Sequence, residues 1–106
     1  MAFLALASQK SVLTLQKNFY QLQLVSNLNE SRYYQELARA IETADPDGYD
    51  TNSQWIMYNA MDEELDTEKE SIENQLTAIE AEISSLKTLV NNSIKSSCQL
   101  NISGGS

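Results

Sequence analysis

Asp45-Pro46-Asp47-Gly48 is the stretch that decides the fold. Proline presets φ for a turn, while Asp and Gly suit the positions that follow. Residues 1–45 and 49–103 hold neither glycine nor proline, and the other two glycines, Gly104 and Gly105, stand at the end of the chain. The breakers therefore cut the sequence into two long arms, one turn and a short tail.

The second arm shows its character first. Its apolar positions include Leu65, Ile72, Leu76, Ile79, Ile83, Leu86, Val90 and Ile94. From Ile72 to Val90 they step by 4, 3, 4, 3 and 4, which keeps a seam on one helix face and marks a coiled coil. The seam is interrupted at Lys69, and the step of four from Val90 to Ile94 shifts its register like a stutter. Thr51 and Gln54 fit a capping box that starts this helix near residue 52.

In the first arm Val12, Leu15, Phe19 and Leu22 step by 3, 4 and 3, and Tyr33, Leu37, Ile41 and Ala44 by 4, 4 and 3. Between them Ser26-Asn27-Leu28-Asn29-Glu30-Ser31 is weak in helix propensity, because Ser and Asn side chains compete for backbone hydrogen bonds. Either the helix breaks near 26–30 or it continues with a polar face.

Two such arms joined by a short loop fold back as an antiparallel αα-hairpin. At ~1.5 Å per residue the arms would reach ~55 Å and ~65–70 Å, a rod that buries one stripe of each helix. A chain of 106 residues built this way has a marginal core, so association with further helices is expected. The expected fold is all-α, a long antiparallel coiled-coil hairpin that packs into a larger helical assembly. Its parts are an apolar N-terminal segment (1–9), a first helical arm (10–44), a turn (45–51), a second arm (52–100) and a flexible tail (101–106).

Composition narrows the function. With no His and a single Cys, the chain lacks the commonest general base and metal ligand and cannot build a zinc site or an internal disulfide. No catalytic residues, cofactor or metal are expected. Net charge is −8 and the seven basic residues are dispersed, which argues against nucleic acid as partner. The charge is divided: residues 1–40 hold four basic and two acidic residues, the remainder three basic and thirteen acidic. Asp62, Glu63, Glu64, Asp66, Glu68, Glu70 and Glu73 form the densest block, which lacks calcium-loop spacing and reads as a solvated helix face. A turn near residue 48 pairs residues whose numbers add to roughly 96, which puts Arg32 beside Glu63 and Glu64, and Lys17 near Glu80.

Aromatics gather near the turn: Tyr33, Tyr34, Tyr49, Trp55 and Tyr58. They form either a small core that holds the tip together or a set of interface anchors. At the other end, Met1-Ala2-Phe3-Leu4-Ala5-Leu6-Ala7 is too short for a membrane span and lacks the basic start of a secretory signal peptide. Phe3, Leu4 and Leu6 are expected in an intermolecular contact, with a frayed end as the alternative. Cys98 reads as a small helix residue, with nothing nearby to lower its pKa.

The turn at Asp45-Pro46-Asp47-Gly48, with the seam ending in Val90, Ile94 and Lys95-Ser96-Ser97, resembles the helical hairpins of type III secretion needle subunits, and more distantly the terminal helices of flagellin. This chain departs in having one proline rather than a proline-bracketed turn, and in its greater length. The resemblance implies polymerisation into a helical filament with both termini in the assembly core. Trp55 near the turn is similar to the WXG-type substrates of ESX secretion, although Trp55-Ile56-Met57 lacks the glycine. Tyr58 and Asp62 match the Tyr-x-x-x-Asp export spacing but stand at the start of the second helix rather than after it.

The sequence therefore points to a non-catalytic, self-assembling subunit of a filament or secretion-related polymer. Its assembly seam is expected at Val12, Leu15, Phe19, Leu22, Leu37 and Ile41 and along Leu65 to Ile94. Its partners would be copies of itself and a secretion apparatus. Export without a signal peptide would put it outside the cell or on its surface. The alternative is a cytoplasmic adaptor or chaperone-like hairpin that binds a partner helix.

Overall fold

A computed structural model describes the backbone of residues 2–104 and the side chains of residues 4–95. Helix α1 (Ala2–Ala44) and helix α2 (Ser53–Gly104) flank a 3-10 turn at Tyr49–Thr51 and pack as a hairpin. The described residues contain no strand. Helix α1 takes in the apolar N-terminal segment and runs unbroken through Ser26–Ser31. Helix α2 continues through residues 101–104, which the sequence suggested as tail.

The turn is built by short-range bonds. Asp45 N–H bonds the Ile41 carbonyl at 3.0 Å and closes α1. Gly48 N–H then donates to the Asp45 Oδ1 at 3.2 Å. Gly48 has φ −128°, so it is not needed for a left-handed conformation. A Cβ there would stand 2.8 Å from the Asp45 Oδ2, the end of an exposed side chain that can swing aside.

The helix cap falls one residue later than the Thr51 box expected from sequence. Thr51 lies in the 3-10 turn and donates its hydroxyl to the Gly48 carbonyl at 2.9 Å. Asn52, in extended conformation, caps α2 instead, its Oδ1 accepting from the Gln54 and Trp55 N–H groups at 2.9 and 3.1 Å. These two bonds satisfy donors that the helix start would otherwise leave orphaned.

The chain divides into two compact units, a turn unit (20–75) and a terminal unit made of residues 1–19 and 76–106. In the turn unit, α1 directs Tyr20, Leu24, Asn27, Ser31, Tyr34, Ala38 and Ile41 inward, all buried or half-buried, at alternating steps of 4 and 3. Tyr58, Asp62, Leu65, Lys69 and Ile72 form the matching series on α2. Lys69 therefore stays in register as a polar layer, half-buried and 3.8 Å from Glu73. Contacts pair Asn27 with Leu65, Tyr34 with Tyr58 and Glu42 with Trp55, so paired numbers add to between 92 and 97, close to the expected 96.

In the terminal unit, Leu76 and Ile79 are buried and Ile83, Leu86 and Val90 half-buried. Helix α1 supplies Leu6, Lys10, Leu13 and Lys17, all half-buried at steps of 4, 3 and 4. Lys17 Nζ lies 3.7 Å from the Glu80 Oε1, the pair the register expects. Past Val90 the seam keeps its heptad: Ser93 is half-buried and Ile94 exposed, so the stutter is not followed.

Candidate functional site

Helix α1 turns a mixed stripe toward α2, in which Lys10, Lys17, Asn27 and Ser31 stand among Leu6, Leu13, Tyr20, Leu24, Tyr34, Ala38 and Ile41. Large apolar side chains also face out. In the terminal unit Leu4, Val12, Leu15 and Phe19 are exposed; in the turn unit Leu22, Val25, Leu28 and Tyr33 are. Leu15 keeps 69% of its surface accessible and Leu22 70%, values more usual for a lysine than for a leucine. A concentration of large apolar side chains in water marks an interaction surface.

Val12, Leu15, Phe19 and Leu22, the first-arm residues expected in a seam, thus lie on the outward face, while Leu37 and Ile41 are half-buried. On α2, Leu65, Ile72, Leu76, Ile79, Ile83, Leu86 and Val90 lie within the hairpin. Of the N-terminal residues, Leu4 is exposed and Leu6 half-buried, and the Phe3 and Cys98 side chains lie outside those described.

Polar contact with α2 concentrates on one part of the turn unit. Asn27, only 4% accessible, donates its Nδ2 to the Leu65 carbonyl at 2.8 Å, and its Oδ1 is buried without a hydrogen-bond partner among the described residues. One turn on, Ser31 donates to the Asp62 Oδ1 and Gln35 Nε2 reaches both carboxylate oxygens at 3.3 and 3.2 Å. Asp62 therefore departs from the solvated acidic face expected of its block: it is half-buried and holds α1. Glu63, Glu64, Asp66, Glu68, Glu70 and Glu73 are exposed. Arg32 is exposed as well, and among the described residues no ion pair joins it to Glu63 or Glu64.

The tip aromatics separate into two groups. Tyr49 and Trp55 meet edge to face, 5.1 Å between ring centroids, and Trp55 Nε1 donates to the Glu42 Oε1 at 3.0 Å. Tyr34 touches both Tyr33 at 5.5 Å and Tyr58 at 6.0 Å. Only Tyr33 of the five is exposed, so this set covers the tip.

Two open grooves flank Val12 and Leu15 in the terminal unit. One, about 660 Å³, is lined by Val12, Leu13, Ala81, Ser85 and Leu86 among others. The second, about 560 Å³, includes Ala7, Ser11, Leu15 and Val90. Small residues on these walls let a further helix approach closely. Among the described residues no group of His, Cys, Asp or Glu is placed to hold a metal ion, and no helix is long and apolar enough to cross a membrane.

The class defined so far is an all-α helical hairpin with an exposed apolar face. No family model matches the chain, and neither does any curated protein or solved structure with which it was compared.

Proposed function

We propose that this protein is a non-catalytic structural subunit that self-assembles through helix faces into a filament or secretion-related polymer. One observation carries the reading: α1 leaves Leu4, Val12, Leu15, Phe19, Leu22, Val25 and Leu28 exposed while Lys10, Lys17, Asn27 and Ser31 occupy positions turned toward α2. A hairpin that needed only its own two helices would place its best apolar residues between them, because burial of each leucine stabilises by ~1.5–3 kcal/mol. The resemblance of the turn and the α2 seam to needle subunits supports the same reading, and on that reading the polymer would stand outside the cell or at its surface.

Negative-stain microscopy and sedimentation over a concentration series test it. Filaments that lengthen with concentration are expected, and a stable monomer or dimer at high concentration would sink the proposal. The groove beside Val12 favours one alternative, an adaptor that takes a partner helix. A monomer that binds an amphipathic helix would establish that role instead.

A further inference from the structure

The groove of the terminal unit beside Leu15 is both apolar and basic. Ala7, Leu15 and Val90 give it apolar walls, and the one charge among the described residues that line it is Lys10. Lys87 and Ile94, three residues before and four after Val90, stand on the same side of α2 and are exposed. Among the described residues neither Lys10 nor Lys87 forms an ion pair. The groove therefore suits an apolar helix face that also carries acids.

We propose that its occupant is the turn unit of a second copy, seated by the start of α2, with Ile56 and Met57 in the groove and Glu63 and Glu64 toward Lys10 and Lys87. This rests on the self-assembly reading and names its repeating contact. Ala60 stands at the middle of that face, four and three residues after Ile56 and Met57 and three and four before Glu63 and Glu64, so all five share one side of the helix, and all are exposed. Ile56 and Met57 keep 51% and 48% of their surface accessible, and the groove would take them out of water.

Charge selects this occupant among the surfaces of a second copy. The terminal unit holds four basic and two acidic residues, the turn unit three basic and thirteen acidic. Two terminal units repel, two turn units repel strongly, and only unlike units attract. Within the turn unit the exposed Leu22, Val25 and Leu28 lie in a stretch without charge from Tyr20 to Asn29, so that face would desolvate the two lysines without a counter-ion. A contact between unlike surfaces also leaves a groove on one copy and an acidic face on the other free to bind again, as an open chain of copies requires.

Cross-linking in a Cys98→Ser background tests the proposal. Leu15→Cys and Met57→Cys proteins, mixed and treated with a short bis-maleimide, should yield mainly the 15-to-57 product. Dominant 15-to-15 or 57-to-57 products mean contact between like units and overturn it. The absence of any product overturns it as well, and is the outcome if the groove takes an acidic helix of another protein.

Salt and charge reversal give a second reading that needs no cysteine. Raising ionic strength from ~50 to ~500 mM should weaken self-association in sedimentation about fivefold or more, whereas tighter association in salt would mean that like charges meet and would overturn the contact. Lys87→Glu alone, and Glu63→Lys with Glu64→Lys, change exposed positions and should each weaken association by about as much. Combining the three in one chain should restore it; no recovery overturns the pairing. The two proposals fail separately. A 15-to-57 product without filaments leaves the contact and removes the polymer, whereas filaments without that product do the reverse.

Discussion

Asn27 bonds the Leu65 carbonyl from inside the turn unit, and its own oxygen is buried without a partner among the described residues. The Leu65 carbonyl already accepts within α2 in the ordinary i to i+4 pattern, so the amide adds a second bond to it. A buried Asn at an inward heptad position specifies register at a cost in stability. It fixes how far α1 has slid along α2 more than it strengthens the pair.

Asn27→Leu follows from that. Removing the orphan oxygen and filling the site with apolar atoms should raise unfolding free energy by about 1–2 kcal/mol, since the lost hydrogen bond contributes only about 1 kcal/mol net. Urea unfolding followed by circular dichroism measures it. A loss of stability would show that the bond to Leu65 outweighs the orphan.

The cap of α2 separates two neighbouring residues. Asn52→Ala removes the acceptor of two N–H groups and should destabilise the chain by about 1 kcal/mol. Thr51→Ala removes a hydroxyl bonded to the exposed Gly48 carbonyl and should change stability by about 0.5 kcal/mol or less. Thermal melts of the two variants should differ in that order.

Charge offers a test without mutation. The turn unit holds thirteen acidic and three basic residues, the terminal unit two acidic and four basic. Like charges crowded on exposed positions destabilise the folded state, and salt relieves them. Raising ionic strength from ~10 to ~150 mM shortens the screening length from ~30 to ~8 Å and should raise the melting temperature by a few degrees. Ion pairs such as Lys17 with Glu80 are half-exposed, so their screening should offset little of that gain.

The hairpin was legible because its signals are local. One proline and one glycine mark the turn, and the regular steps of α2 from Ile72 to Val90 leave no alternative period there. The inward stripe of α1 was not legible. Apolar periodicity ranks Val12, Leu15, Phe19 and Leu22 above Lys10, Lys17, Asn27 and Ser31, yet the second set faces α2. Lys17 can sit there because its stem covers apolar surface while its ammonium reaches Glu80, and Asn27 because it finds a backbone acceptor. The Ser26–Ser31 stretch was ambiguous for the same reason. Its polar residues signal a break when read alone, but two of them anchor the helix to Leu65 and Asp62.

Leu13 and Leu15 give the sharpest test of the two stripes. They stand two residues apart on α1, Leu13 half-buried in the terminal unit and Leu15 exposed. Leu13→Glu places a carboxylate against Leu86 and its neighbours and should lower unfolding free energy by about 2–3 kcal/mol. Leu15→Glu meets water in the single hairpin, so its unfolding at low concentration should stay within about 0.5 kcal/mol of the parent. At high concentration the order reverses, because the charge at Leu15 now opposes contact between copies while any Leu13→Glu hairpin that remains folded still presents an intact outer face. Denaturation and sedimentation of both variants over the same concentration range measure this. If Leu15→Glu unfolds as easily as Leu13→Glu at low concentration, both stripes serve the single hairpin and the outward face has no separate role.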